Sequence, residues 1–386
     1  MFSRCLPLLL VVVAPASALG AGVPVKVPRD FSTIQAAVDA AADGDLIEVS
    51  AGQYVETVVI EGFTGLVVRG KGRVVIHGGG AAALTLLECT DCVVDMIGVE
   101  GGPGHGIRLQ LSERCKVSRC RVQDVAGDGV RLEACLGIVV DTCCIRDVGM
   151  NAISFAVGDV QPTDDCSLTG NRCLSPGNDG MCISGSGNLI AGNLVHKAAS
   201  DGLDTDVFAY SANNVFVGNR VIKAGGVGIY ITGAANQVRD NTVTGSAGNA
   251  VQLATGSNHI VAGNRLIKAG RDAILVAVGA AGAQLLDNMA VKAGEDGIEV
   301  VGTGALVEGN TITGAAGDGL RIVGDLGLYV SNTADGGEQD GFHLVSGASG
   351  SLLTANKAHG NKGFDLHDES RDNDFAADND FGSTPP

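Results

Sequence analysis

Tryptophan is absent from the 386-residue sequence, tyrosine occurs only 4 times, and aromatic residues amount to 4%. A chain so poor in rings cannot line a long groove with stacking platforms. Long apolar runs are missing too. Beyond the short stretch at residues 6–13, no segment approaches the roughly 18 residues of a membrane span. Positive charge is in short supply, with 26 Lys and Arg against 43 Asp and Glu and a net charge of −17. That argues against nucleic acid as a ligand, because a phosphate backbone needs cationic neutralisation. It also sets a condition on acidic polymers, which such a chain repels unless a bound cation or a local basic patch intervenes. Proline is scarce at 9 residues, whereas glycine reaches 58, the mark of many tight turns.

With a mean hydropathy of +0.24 and few aromatics, Val, Ile, Leu and Ala must build the core. Residues 1–18 have the pattern of a secretory signal: Arg4, the apolar run, then the small cleavage-site residues Ala16-Ser17-Ala18. The expected location is secreted, periplasmic or at the cell surface. Of the 11 cysteines, Cys5 would leave with the signal, and the others all fall between residues 89 and 182.

A repeat dominates the rest. Asn171, Asn193, Asn219, Asn241, Asn264, Asn288, Asn310 and Asn332 each end a short apolar run. Eight positions on from each stand Asp179, Asp201, Val227, Asn249, Asp272, Asp296, Asp318 and Asp340, mostly followed by Gly. In-out-in triplets such as Ile107-Arg108-Leu109 open each repeat, and two further apolar runs flank the Asn. Three short strands per period of about 22 residues is the arithmetic of an all-β, single-stranded parallel β-helix, with about 13 coils from Leu84 onward. The glycine content and β-branched triplets exclude helical repeats. Two coils are longer, with insertions at 159–165 and 208–214 after the first strand, predicting raised loops on either side of a notch. The reading divides the chain into the signal (1–18), a cap with first coils (19–83), the repeats (84–367) and a solvated acidic tail (368–386).

At the N-terminus, Ser32-Thr33-Ile34-Gln35 has capping-box spacing, and a short helix over 34–42 would plug the open apolar end of the stack. The order F-S-T-I-Q-A-A-V-D-A-A, D-G-D-L-I-E-V, G-Q-Y-V-E resembles the N-terminal opening of the pectin-lyase-like right-handed parallel β-helix superfamily. That resemblance implies a right-handed coil and an extracellular polysaccharide as ligand or substrate. Motifs of individual enzyme families do not follow. Gly104-His105-Gly106, Asp164-Asp165 and Asp204-Thr205-Asp206 look like polygalacturonase pieces in the wrong order, and the Asp-Pro-His-Asp motif of mannuronan epimerases is absent.

Chemistry is expected at the notch. If Leu203 and Thr205 point inward, Asp204 and Asp206 project together, with Asp164, Asp165 and Tyr210 on the walls of the notch, Asp179 and Asp201 at its entrance, and Tyr230 on the next coil. Asp179, Asp201, Asp204 and Asp206 form a candidate Ca²⁺ set, since that ion takes six to eight oxygens. Asp204, Asp206 and Tyr230 are the candidate catalytic residues of a Ca²⁺-assisted uronate lyase or epimerase, with Tyr210, His196 and Lys223 as substrate contacts. The alternative is a non-catalytic surface or adhesion rod. The Asn column reads as scaffold, its residues in left-handed geometry and bonded up the rod. The Asp column must either accept turn amides or hold cations, because unit charges about 4.8 Å apart repel by roughly 1 kcal/mol even in bulk water. Lys197, Lys223, Lys268 and Lys292, each four residues after an Asn, read as a solvated edge. Cys92 with Cys115, and Cys120 with Cys143, share columns one rung apart. Parallel side chains there hold the Cβ atoms beyond the preferred distance of about 3.8 Å, so stacked thiols are expected. Export leaves disulfides open, notably at Cys166 and Cys173.

Overall fold

Every second residue of each short strand faces in: Ile107, Leu109, Val130 and Leu132 are fully buried, while Arg108 and Arg131 between them face out. The computed structural model describes residues 24–156, 162–205, 211–370 and 372–385. The signal segment therefore lies outside the described residues. Stacked parallel strands form three faces around one continuous apolar core. The leading face follows the Asp-Gly corner and stacks 14 strands, from Val58–Glu61 to Leu366–Asp368. The middle and trailing faces lie before and after the Asn corner, as in Val215–Val217 and Arg220–Ile222. They merge through the long strand Val67–Ile76, which pairs with Val93–Asp95 on one face and Gly98–Glu100 on the other. The leading face thus has one rung more than the expected 13 coils, the addition being Val58–Glu61, and about 15 turns are present in all.

The helix is Ile34–Asp39, shorter than expected, with Ile34, Ala37 and Val38 buried against the first turn. Thr33 is its N-cap, accepting the Ala36 amide at 3.1 Å. The carboxylate that completes the cap is not local. Glu56 accepts the amides of Ile34 and Gln35, both at 2.9 Å, and so ties the plug to the first coil. At the other end the acidic segment continues the stack. Asp372–Phe375 and Asp380–Phe381 pair with the preceding coil, Asn379 extends the Asn column, and Phe381 packs on Phe342 at 5.4 Å. Phe381 and Asn379 dock a segment whose charge suggested a solvated tail, frayed or lightly docked over the last coil, while Phe375 stays exposed. Among the described residues no helix is long and apolar enough to cross a membrane.

The Asn column forms a buried amide ladder. Asn241 Oδ1 accepts from the amide and Nδ2 of Asn219 at 2.8 and 3.0 Å, and its own Nδ2 donates to Phe216 O at 2.9 Å. The left-handed residue, however, is the one before each Asn: Gly192, Gly218, Asp240 and Gly263 have φ of 62°, 63°, 54° and 65°. The Asn side chains bond mainly along the rod, although Asn264 and Asn310 also donate to Ala262 O and Glu308 O of their own turns, both at 3.2 Å. A second, shorter column, Asn188–Asn214–Asn236, marks the start of the middle face.

Among the described residues, none of the ten cysteines from Cys89 to Cys182 is in a disulfide. Cys115 Sγ lies 3.4 Å from the Cys92 amide, and the Cys143 amide donates to Asn171 Oδ1 at 2.9 Å, so thiols continue the two amide columns toward the N-terminus. Neighbouring thiols and burial push Cys92 up to about 12, and burial pushes Cys135 up to about 11. Only Cys144 and Cys182 are partly exposed. Alkylation of the native protein followed by mass spectrometry is expected to label these two alone, and unfolding to release the others. Labelling of Cys120 or Cys173 in the native state would contradict the packing.

Candidate functional site

The Asp-Gly marks precede the leading strands, and their carboxylates hold successive rungs. Asp179 Oδ1 accepts the Asp201 amide at 2.9 Å and Asp201 Oδ1 the Val227 amide at 2.6 Å. Asp272, Asp296 and Asp318 repeat the bond at 3.0, 2.6 and 3.1 Å. Burial foremost, with the adjacent carboxylates adding to it, pushes Asp272 up to about 7 and Asp296 up to about 6. A carboxyl raised on folding binds more protons folded than unfolded, so its cost is absent below about pH 4 and grows as pH rises toward 7. Asn249 fills the same column, its Oδ1 accepting the Asp272 amide at 2.9 Å. Asp272→Asn is therefore expected to raise Tm at pH 8 and leave it unchanged near pH 4. Calorimetry showing a less stable variant at pH 8 would contradict this.

At the expected notch, Leu203 and Thr205 are fully buried and Asp204 faces out, in register with Cys182 and Tyr230 on the rungs either side. Cys182 Sγ donates to Asp204 Oδ2 at 3.8 Å, and Asp179, Cys182 and Asp204 place ligand atoms within 4.8 Å of one another. Two of the four candidate Ca²⁺ ligands thus meet, joined by a thiol that suits an oxygen-seeking cation poorly. Asp201 stays with the Val227 amide, and burial raises its pKa. Asp206 and Tyr210 lie outside the described residues. Burial, then Asp204 and Asp201, raises the Tyr230 phenol, which therefore keeps its proton.

Among the described residues the wider convergence is not formed. Asp164, whose Oδ1 accepts the Ser186 amide at 2.7 Å, and Asp165 stand beyond the end of the leading strand, while Asp179 and Asp201 stand at its start. Insertions follow the strand and turn marks precede it, so the two groups occupy opposite corners of one face. Pro162 and Asp164 line a cavity of about 210 Å³ together with Leu111, Glu113 and Leu136.

His196 and Lys223 belong to another surface. His196 faces out from the trailing strand Leu194–His196, and Lys223 occupies the corner after Arg220–Ile222. On that face Arg121, Cys144, Arg172, Leu194, Arg220, Thr242, Arg265 and Met289 follow one another in register. Arginine thus stands on every second rung, about 9.6 Å apart. All four arginines are exposed, and among the described residues none is in an ion pair. The other outward position on these rungs is Gln123, Arg146, Leu174, His196, Ile222, Thr244, Ile267 or Val291. No carboxylate occurs in either row, although the chain is strongly acidic.

The corner beyond adds Lys197, Lys223, Lys268 and Lys292, with φ of 56°, 57°, 54° and 56°. Left-handed geometry costs roughly 1–2 kcal/mol for a side chain other than glycine, and Gly245, Gly314 and Gly336 take the same corner elsewhere. Asp124, Asp147 and Ser175 take it on the first rungs, with φ of 57°, 52° and 52°, so lysine lines only the later part of the arginine row's edge. Toward the N-terminus the face opens into a cavity of about 400 Å³ lined by Arg73, Gly98, Glu100, Arg119, Arg121 and Gln123. Gly98 is required there, since a Cβ would meet Val74 O at 2.5 Å. The signal for this surface is the pair Asn-Arg on alternate coils, at 171–172, 219–220 and 264–265, with Cys120-Arg121 before them.

With three stacked faces and the Asn ladder established, comparison with known proteins settles the family. A family model described as a right handed beta helix region matches residues 105–267 and 160–305. The chain belongs to the right-handed β-helix family. No curated protein matches this β-helix chain in sequence. Among solved structures, the A-module of a mannuronan C-5 epimerase from Azotobacter vinelandii is 15% identical, covering 89% of this chain and 95% of that one, with a TM-score of 0.54. A PL6 family alginate lyase is 14% identical over 92% of this chain and 53% of its own, at 0.63. The receptor-binding tailspike of bacteriophage Det7 is 12% identical over 87% and 73%, at 0.57. At these identities the likeness is one of fold.

Proposed function

We propose that this right-handed β-helix protein is exported and binds an acidic extracellular polysaccharide lengthwise on its trailing face. The carrying observation is the row Arg121, Arg172, Arg220 and Arg265, on alternate rungs, without ion pairs among the described residues, on successive rungs whose outward positions hold no carboxylate between Glu100 and Asp335. In an extended 1,4-linked uronate chain alternate carboxylates fall on one side, two sugars apart, a spacing comparable to two rungs. Arginine presents a planar fork to each carboxylate. Leu174, Leu194, Ile222 and Ile267 between the charges offer apolar contact to sugar rings, which suits a chain with few aromatics. The basic face also meets the condition that net charge imposes on any acidic ligand. Several of the similar structures are named as alginate lyases or epimerases, which supports a polysaccharide as the ligand class. Isothermal titration with polyuronate oligomers is expected to show binding that strengthens with length and weakens with salt. No binding to any polyuronate, with the fold intact, would refute the reading.

A second reading keeps catalysis on the leading face. Asp204 lies in register with Tyr230, whose retained proton suits it to donate to a leaving oxygen more than to abstract a proton. A lyase or epimerase of that kind, Ca²⁺-assisted or not, predicts unsaturated product or altered uronate composition that Asp204→Ala abolishes. Product formation unchanged in Asp204→Ala would remove this site from consideration.

A further inference from the structure

At the C-terminal end of the leading face two imidazoles stack. His343 and His367 are in register on adjacent rungs, their ring centroids 4.8 Å apart and their planes 5° from parallel. Each ring is held from behind by a carboxylate of the Asp column. His343 Nδ1 lies 2.7 Å from Asp318 Oδ2, and His367 Nδ1 lies 2.8 Å from Asp340 Oδ2. An ionised carboxylate only accepts, so both Nδ1 atoms carry the proton. Arg321 Nη1 lies 3.4 Å from Asp318 Oδ2, to which it donates; its 3.5 Å approach to His343 Nδ1 is at the limit of a hydrogen bond and is not one when that nitrogen carries the proton. In the neutral rings both Nε2 lone pairs then point away from the column, toward one group. Glu369 Oε1 is 3.7 Å from His343 Nε2 and 3.8 Å from His367 Nε2.

These separations are too long for hydrogen bonds. His343 Nε2 is moreover buried with no hydrogen-bond partner, which is costly for a ring nitrogen unless something occupies the space before it. A tetrahedral zinc-type ion, with nitrogen and oxygen donors about 2.0–2.1 Å away, separates neighbouring donors by about 3.4 Å. The nitrogen–oxygen spacings lie a few tenths of an ångström above that, while the parallel rings, stacked at 4.8 Å, hold the two Nε2 atoms farther apart. Closing the site requires both rings to tilt toward the ion and the exposed Glu369 side chain, whose Oε2 accepts the Ser346 amide at 3.3 Å, to turn. The outer carboxylates Asp318 and Asp340 supply what a metal-binding histidine requires, a partner that fixes the tautomer and raises the basicity of the far nitrogen. Asp340, whose ligand atom lies within 4.8 Å of those of both histidines, is already engaged by His367 Nδ1, so Glu369 is the carboxylate left for the ion.

We propose that His343, His367 and Glu369 form a binding site for a divalent transition metal of the zinc class, with Asp318 and Asp340 as orienting partners. Three protein ligands leave a fourth position open to water or to a ligand oxygen. The site joins three successive segments of the last coils, so occupancy also fastens the C-terminal turn to the rod. It is separate from the arginine row, which lies on a different face.

The test is titration of untagged, metal-stripped protein with Zn²⁺ by calorimetry and with Co²⁺ by visible absorption. One equivalent is expected, with the intense Co²⁺ bands of a four-coordinate site. In the wild-type protein Zn²⁺ should perturb two of the 7 histidine proton resonances and no others. His367→Gln and Glu369→Gln should each weaken binding at least 10-fold, and Asp318→Asn by 10–100-fold, about the range for an outer partner. Absence of stoichiometric uptake by the wild-type protein would overturn the proposal. So would undiminished uptake in His343→Gln/His367→Gln, or perturbation of other histidines in the wild type. The resonance measurement needs no variant and decides the matter if a substitution unfolds the last coils.

Discussion

Replacing Arg172, Arg220 and Arg265 together by glutamine is expected to lower affinity for polyuronate roughly 10²-fold, taking about 1 kcal/mol for each exposed arginine–carboxylate pair. Single replacements should each cost about fivefold, the equivalent of about 1 kcal/mol. The contributions should add, since alternate rungs are about 9.6 Å apart and share no partner. The salt dependence of binding should shrink in step with the charges removed, and a neutral glucan should bind neither protein. The folded state should be unaffected. None of the three arginines is buried or paired, so the urea midpoint of the triple variant should match the parent. A triple variant with unchanged affinity would move the binding surface elsewhere.

The largest effect on stability is expected inside the rod. Asn241→Ala removes the acceptor of the Asn219 amide and of Asn219 Nδ2, and the donor to Phe216 O. Asn241 is 1% exposed and Asn219 is equally buried, so water cannot replace these bonds without opening the stack. At about 1–3 kcal/mol for each buried group left unsatisfied, the variant should lose roughly 3–5 kcal/mol. Asn241→Asp should be no better, because it restores an acceptor but places a charge where two donors and a carbonyl meet. Urea denaturation followed by circular dichroism would measure both. A loss below about 1 kcal/mol would mean that the ladder is a consequence of the stacking and not a cause of it.

Much of the fold was legible in the sequence because a β-helix repeats its register. Asn-to-Asp spacing fixed three strands per turn, and the inward positions of Leu203 and Thr205 followed from alternation alone. Position along a turn was legible only where the count crossed no corner. Gly192, Gly218 and Asp240 take the left-handed geometry expected of the neighbouring asparagines, a distinction that one residue of offset conceals. Asp164 and Asp179 are close in sequence, and the insertion between the leading and middle faces made them look like a wall and the entrance of one notch. They stand at opposite corners because one follows the strand and the other belongs to the next turn mark.

The arginine row was visible as Asn-Arg on alternate coils, yet its meaning depends on the stacking of unequal coils. Only the registers Arg172↔Leu194 and Leu194↔Arg220 show that the arginines are two rungs apart on one face. Lysines after the asparagines were legible as a repeat. Their strained corners and the acid-free rows beside them give them a place on a binding surface. His343 and His367, one coil apart, occupy the same outward position in Phe-His-Leu and Leu-His-Asp, but their carboxylate partners come from preceding rungs and are set by the fold.

One measurement tests the binding account most directly: arginine modification by a dicarbonyl reagent, read by mass spectrometry, with and without bound polyuronate. Arg121, Arg172, Arg220 and Arg265 should be protected together, while Arg114 and Arg271, exposed and away from the row, should react equally in both states. Protection confined to Arg108 and Arg131 would place the polymer on the leading face and contradict the account.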